Sequence, residues 1–211
     1  MMKKIPAPTV NRLSIYLKCF SELAASDVEY VSSEQAAKLA GLNPAQVRKD
    51  LAYFGKFGRR GYGYHVEQLK EHISRILGTH KHWKVGVIGT GNLGRALVMY
   101  GGFINRGFKV AAGFDIDRDK IGWEINSVKI HHIDKLEEVI KKEKLEIIIL
   151  TTPKEALDSI ISRLKKTKIK GVLNFAGRHL INDSGLIIRN VDLALEMEQL
   201  TFFLTNKQEG K

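Results

Sequence analysis

Three glycines, Gly89, Gly91 and Gly94, stand at the spacing GxGxxG in the run VGVIGTGNLGRAL. An apolar strand pattern precedes them and a helix pattern follows. This context predicts a dinucleotide fingerprint at the first βα turn of a nucleotide-binding sheet. Gly89 would permit the tight turn, Gly91 would let backbone approach a pyrophosphate, and Gly94 would let the helix lie against the strand. Free N–H groups and the positive end of the helix dipole would face the phosphates. Twenty-one residues past Gly94, FDID places Asp115 at the end of the second strand. A carboxylate there accepts hydrogen bonds from the adenosine ribose and repels a 2′-phosphate, so NAD(H) is expected over NADP(H). Such a fingerprint normally opens its domain, yet here more than 80 residues precede it.

Those leading residues carry a second concentration of chemistry. Between positions 46 and 65 five basic residues, Arg48, Lys49, Lys56, Arg59 and Arg60, face the single acid Asp50. The surrounding elements give them an arrangement. Leu13, Tyr16, Leu17, Phe20, Leu23 and Ala24 form a helical stripe over 11–25, with Thr9 or Asn11 as cap. SSEQAAKLAG reads as a helix capped by Ser32 or Ser33 and stopped by Gly41. Pro44 opens a third helix, PAQVRKDLAYFG, in which Val47, Leu51 and Phe54 face inward while Gln46, Arg48, Lys49 and Tyr53 face out or flank. GKFGRRGYGYHV is too glycine-rich for a helix and predicts a short β-hairpin, and VEQLKEHISRILG closes the block as a helix. Helix, helix, short turn, basic helix and basic hairpin make the winged helix-turn-helix plan, whose second paired helix enters the major groove. A small helical bundle with a solvated basic face is the alternative.

From Trp83 onward strands alternate with helices. Strands are expected at 84–88, 108–114, 128–131, 146–150, 171–175 and 186–190, with helices at 92–104, 135–142 and 154–165. This predicts an α/β chain whose second part is a doubly wound parallel sheet. Leu193, Met197, Leu200 and Leu204 form one stripe of a last helix, to which Phe202 and Phe203 add more apolar surface than one stripe needs. The expected domains are 1–80 for DNA binding, 81–191 for the nucleotide, and 192–211 for the C-terminal helix and tail.

The bulk properties restrict the function classes. A formal net charge of +11 favours polyanionic partners, and it is spread over both halves, 12 Lys/Arg against 7 Asp/Glu up to His80 and 22 against 16 beyond. No stretch approaches the ~18 apolar residues of a membrane span. MMKKIPAPTV lacks the apolar core of a secretory signal, and Cys19, the sole cysteine, excludes an internal disulfide, so a cytoplasmic protein is expected. After the α/β part only one helix remains, too little for a substrate domain. His80, His82, His131 and His132 complete no metal-ligand spacing, so they read as surface groups and no metal is expected. A nucleotide pocket without chemistry reads as a sensor's pocket rather than an enzyme's. The alternative is a small NAD- or CoA-binding enzyme subunit with a helical appendage.

VSSEQAAKL, QVRKDLAYFGKFGRRGYGY, GTGNLG, FDIDRDKIG, KIKGVLNFA and NVDL resemble the Rex family of redox-sensing transcriptional repressors, over almost the whole chain. The resemblance implies a homodimer with an N-terminal winged helix bound to palindromic double-stranded operator DNA. It implies a C-terminal Rossmann domain taking NADH or NAD⁺, with NADH releasing the operator. It further implies a last helix swapped onto the partner subunit. Residue by residue, it sets Gln46, Arg48, Lys49, Tyr53 and Lys56 on or beside the recognition helix, with Arg59, Arg60 and Tyr62 in the wing. Gly89, Thr90, Gly91, Asn92, Leu93 and Gly94 would hold the pyrophosphate, with Asp115 and Ile116 at the adenosine end. Thr151, Thr152, Pro153, Asn174, Phe175 and Ala176 complete the expected cofactor set. Tyr100 and Asp192 match positions near the nicotinamide, and Arg12 matches an arginine that pairs with that aspartate in one state of the dimer. One departure stands out: the family reads proline after NFA, and this chain has Gly177.

Overall fold

The first helix, α1 (Ala7–Ala25), begins earlier than the apolar stripe suggests. Pro6 precedes it in an extended conformation and Pro8 lies in its first turn, where a missing N–H is harmless. Thr9 therefore lies inside the helix, buried, rather than capping it. The structure is a computed structural model describing residues 5–55, 57–59, 61–182 and 185–206, and the chain divides between Lys81 and His82 into two compact units.

In the first unit, β1 (Tyr30–Val31), α2 (Ser33–Ala40), α3 (Pro44–Ala52), β2 (Gly58–Arg59), β3 (Gly63–His65) and α4 (Val66–Leu77) follow α1. Ser32 accepts from the Gln35 amide, and the Gln35 side chain returns to the Ser32 N–H, so α2 starts with a capping box. It ends at Gly41 in the left-handed conformation, and Asn43 caps α3 with Pro44 in its first turn. The hairpin of β2 and β3 is joined by β1 into an antiparallel sheet of order β1-β3-β2. β1 was not foreseen, since two residues show no alternation. Leu13, Tyr16 and Phe20 of α1 pack with Val47, Leu51, Leu69 and Ile73 in the unit's core. Each large side chain buried there contributes roughly 1.5–3 kcal/mol.

The second unit contains β4 (Trp83–Ile88), α5 (Asn92–Val98), β5 (Phe108–Asp115), β6 (Glu124–Ile125), β7 (Val128–His132), α6 (Leu136–Glu143), β8 (Ile147–Leu150), α7 (Leu157–Leu164), β9 (Gly171–Asn174), β10 (Ile187–Asn190) and α8 (Leu193–Asn206). The sheet order is β10-β9-β8-β4-β5-β7-β6, parallel throughout except for the antiparallel edge pair β6–β7. That is a Rossmann arrangement with one short added strand. α5 is shorter than expected, because Gly101 and Gly102 follow Met99-Tyr100 and favour turn over helix. α7 likewise starts only after a 3₁₀ turn at Lys154–Ala156 that follows Pro153.

Strand residues alternate between faces. Ile88, Phe114, Ile148 and Leu150 point to the side covered by Leu136, Val139, Leu157 and Ile160 of α6 and α7. Val85, Val87 and Ile149 point to the other side, with Val98 of α5. There an apolar groove of about 400 Å³ lies among Val85, Phe103, Phe108, Ile147, Ile149 and Leu173. Every residue of α8 is exposed, including Leu193, Met197, Leu200, Phe202 and Phe203.

Candidate functional site

The glycine turn joins β4 to α5 at the carboxyl edge of the sheet, beside the loop that follows β8. Gly89 has φ of 91°, and a Cβ there would lie 2.7 Å from the Thr151 carbonyl oxygen, so both conformation and space require glycine. A Cβ on Gly94 would lie 1.9 Å from the Gly89 carbonyl oxygen, so α5 sits directly on the turn. Gly91 differs from both. A Cβ there would meet nothing within 4 Å, and no side chain caps the first turn of α5. The space in front of the helix is open to a ligand's phosphates.

Asp115 lies under this turn. Its Oδ2 accepts from the Thr90 amide at 2.8 Å and the Thr90 hydroxyl at 2.6 Å, while its Oδ1 accepts from the amides of Ile116 and Asp117 at 2.9 and 3.0 Å. Lys120 Nζ stands 3.3 Å from Asp115 and 3.2 Å from Asp117. Burial pushes the Asp115 carboxyl up, but the bonds from Thr90, the Asp117 backbone and Lys120 outweigh it and hold it at about 2. The carboxylate thus fixes the turn, and a ribose hydroxyl would have to share oxygens already well supplied with donors. Lys120 also offsets part of the negative charge that would face a 2′-phosphate. Neither Thr90's hydroxyl nor Lys120 was foreseen in these roles; the signal was a threonine inside the fingerprint and a lysine five residues past the acid.

The Asp115 geometry fixes a pH dependence. A folded carboxyl near 2, against an ordinary value of 3.8, adds stability that is complete above pH ~4 and lost as pH falls toward 2. The contribution is on the order of 2 kcal/mol. Urea denaturation of Asp115→Asn and the parent chain should therefore differ most above pH 4 and converge near pH 2. A gap independent of pH would show that the ionised carboxylate is not what holds the turn.

Thr151 and Thr152 follow β8 and lie against the same turn. The Thr151 hydroxyl donates to the Gly89 carbonyl at 2.7 Å. Thr152 Oγ1 is buried and has no hydrogen-bond partner among the described residues. Such a group calls for a missing partner, and with the opening at Gly91 it fits a bound dinucleotide. Asn174, at the end of the neighbouring β9, is buried and committed: its amide donates to Asn190 Oδ1 at 2.8 Å and the Arg178 carbonyl at 2.9 Å, and its oxygen accepts from Ala176 N at 3.0 Å. These bonds tie the strand ends together around Phe175 and Ala176. Arg178, just past Gly177, is anchored on Asp158.

The structure therefore brings together the fingerprint, Asp115 and Thr151–Thr152, with Asn174 on the next strand. Ile116 is exposed beside Asp115, Asn92 and Leu93 are exposed on the first turn of α5, and Pro153 is exposed in the loop after β8. Tyr100 is also exposed, its ring edge-on to Phe103. Asp192 caps α8, accepting from Ala194 N at 2.9 Å. No hydrogen bond among the described residues joins Tyr100 or Asp192 to the glycine turn.

In the first unit, Lys49, Tyr53, Arg59 and Tyr62 are exposed on α3, at its end and on the hairpin. Lys56 and Arg60 lie outside the described residues. Arg48 is exposed but held by α2, donating to Ser33 Oγ at 2.7 Å and Glu34 at 3.1 Å. Gln46 is turned to Asp50, its amide 2.9 Å from Oδ1. Asp50 itself is fully buried, accepting also from Arg12 Nε at 2.5 Å and Nη2 at 2.8 Å and from Tyr16 at 3.0 Å. Burial pushes this carboxyl up, but Arg12, Tyr16 and Gln46 hold it below the usual range. Arg12, expected to meet Asp192 in one dimer state, is here the partner of Asp50. The sequence did carry a signal for this cluster: Thr9, Arg12 and Tyr16 place donors on one face of α1.

A winged helix-turn-helix and a glycine-turn Rossmann sheet in one chain define a DNA-binding regulator that answers to a nucleotide. Residues 4–52 match the family model described as "Putative DNA-binding protein N-terminus", and residues 80–177 match the "CoA binding domain" model. The redox-sensing transcriptional repressor Rex of Syntrophobacter fumaroxidans is 42% identical over 96% of this chain and 97% of its own length. That of Carboxydothermus hydrogenoformans is 45% identical over 94% and 96%. Among solved structures, RSP in complex with β-NAD⁺ and operator DNA superposes with a TM-score of 0.90 at 32% identity, covering 98% of this chain and 95% of that one. RSP in complex with β-NADH gives 0.87 at 30% identity, covering 98% and 97%. The chain belongs to the Rex family of redox-sensing transcriptional repressors.

Proposed function

We propose that this chain is a transcriptional repressor that binds palindromic operator DNA through α3 and the β2–β3 hairpin and is released by NADH. It acts in the cytoplasm, without catalysis, as a homodimer. The observation that carries the reading is the near full-length likeness to a chain held with NAD⁺ and operator DNA. Supporting it, Gly91 leaves room for a pyrophosphate, and Thr152, whose methyl lies against Gly89, has an unmatched hydroxyl. Exposed Ile116 offers an apolar shelf for the adenine. Arg48, Lys49 and Arg59 supply phosphate and base-edge donors, and Gln46 contributes indirectly, donating to Asp50, the carboxylate that ties α3 to α1.

The dimer reading rests on two unmet apolar surfaces. α8 is exposed along its whole length, and the groove over β8 and β9 is lined almost wholly by apolar side chains. A second copy's α8 laid over that groove would cover both, which is the economy of domain swapping. The swap would also carry Asp192 to the partner's nicotinamide end, near Tyr100. NADH and NAD⁺ differ chiefly there, one ring neutral and puckerable, the other planar and cationic. A ligand shifts an equilibrium only by its differential affinity for the two states, so that end is where redox state is read.

Operator affinity titrated with NADH and NAD⁺ tests this. NADH should weaken operator binding at least tenfold, NAD⁺ much less, and operator should weaken NADH binding by the same factor. Asp192→Ala should keep NADH binding within about threefold while removing most of that coupling. Operator affinity indifferent to saturating NADH in the parent chain would overturn the redox reading.

A further inference from the structure

At the amino-terminal edge of the Rossmann sheet, the end away from the glycine turn, a cleft of about 900 Å³ opens between the starts of β4, β8 and β9 and the ends of α6 and α7. Ile140 and Leu145, both nearly fully buried, lie beneath it, and the aliphatic stems of Lys84, Lys141, Lys144, Lys166, Lys168 and Lys170 supply the rest of its apolar wall. The two acids in the cleft are already matched: Glu137 pairs with Arg163 at 2.6 Å and Glu146 with Lys170 at 2.5 Å. Lys84, Lys141, Lys144, Lys166 and Lys168 make no ion pair among the described residues. Lysines at helix carboxyl ends complement the helix dipole, which accounts for those following α6 and α7 one at a time. It does not account for Lys84, which comes from a strand, nor for five unmatched cations converging on one apolar hollow. Their mutual repulsion is a cost that a bound anion would remove.

The size and lining suit a small molecule: such sites run to roughly 300–1,000 Å³, mostly apolar with a few placed charges. Lysine is a compact point charge well suited to phosphate. We propose that this cleft binds a small phosphorylated molecule with an apolar body, the body along the lysine stems above Ile140 and Leu145 and the phosphate among Lys84, Lys141 and Lys168. Duplex DNA is the weaker candidate, since a cleft fits the convex backbone of a duplex poorly.

Calorimetric titration of the full chain with octyl phosphate below its micellar concentration tests the site, with inorganic phosphate and octyl glucoside as separate arms. Octyl phosphate should bind saturably, one per chain, at least tenfold more tightly than either control, and prior addition of NADH should leave the titration unchanged. Lys84→Gln combined with Lys168→Gln should weaken it at least tenfold without moving the thermal midpoint. No saturable binding, equal binding of octyl glucoside, displacement by NADH, or a double variant that binds as the parent does would each overturn the proposal. So would a double variant that loses duplex DNA affinity while keeping octyl phosphate, which would make the surface a DNA contact.

Discussion

Gly91→Val should fold as the parent chain does and lose NADH and NAD⁺ alike, by at least about 100-fold, or ~2.7 kcal/mol. Two facts separate this position from its neighbours. The φ of Gly91 is −67°, open to any residue, and a Cβ there touches no protein atom. The valine methyls would instead fill the space before the first turn of α5, where a pyrophosphate must sit to reach the free N–H groups. Gly94→Ala is the informative counterpart. Its methyl would be driven into the Gly89 carbonyl, so the turn must open or the helix must lift, and stability falls together with binding. Calorimetry with each dinucleotide, alongside thermal midpoints of the full chain, distinguishes the two modes. NADH binding by Gly91→Val within threefold of the parent would remove the glycine turn as the nucleotide site.

The features legible in the sequence are those written in local stereochemistry. Ser32 with Gln35, Gly41 ending α2 and Pro44 opening α3 are short-range devices, and each does in the structure what its residue type dictates. The glycine fingerprint was legible for the same reason, including the close approach at Gly94. What escaped was long-range or very short. β1 exists because Tyr30 and Val31 pair with His65 and Tyr64, a partnership absent from local pattern. Asp115 reads as a ribose acceptor by its place at a strand end, but nothing local shows that Thr90, two backbone amides and Lys120 already occupy its oxygens.

The first unit shows the same division between local and long-range signals. Gln46 and Arg48 are polar residues on a basic helix and read alike as groove residues. Tertiary contacts divide them. Gln46 is engaged by a buried carboxylate, while Arg48 is held only by half-buried Ser33 and exposed Glu34. An exposed pair of that kind is worth at most about 1 kcal/mol, so Arg48 can leave Glu34 for a guanine edge or a phosphate at little cost. Gln46 would have to abandon Asp50.

That carboxylate sets the largest stability effect expected in the chain. Asp50 is the one acid among the basic residues of α3 and the hairpin, and it faces away from them, into the core against α1. Two guanidinium nitrogens of Arg12, the Tyr16 hydroxyl and the Gln46 amide converge on it. Removing one partner of a buried pair costs about 3–5 kcal/mol, because the remaining groups stay desolvated without a match. Asp50→Ala should carry that cost and Asp50→Asn a smaller one, since the amide oxygen still accepts but the charge is gone. The folded carboxyl lies below its ordinary value, so the contribution is present above the ordinary carboxylate range and fades on acidification through the folded value. Because Asp50 joins α1 to α3, operator affinity should fall with stability, while NADH binding by the other unit persists. Both tryptophans, Trp83 and Trp123, belong to that other unit, so their fluorescence serves as an internal control. Hydrogen exchange at the amides of α1 and α3 reports the affected unit directly. Faster exchange there in Asp50→Ala, with unchanged tryptophan emission and reduced operator affinity, is the expected result. Exchange in α1 and α3 as slow as in the parent chain would mean that apolar packing alone, Leu13, Tyr16 and Phe20 on Val47 and Leu51, holds α3 in place.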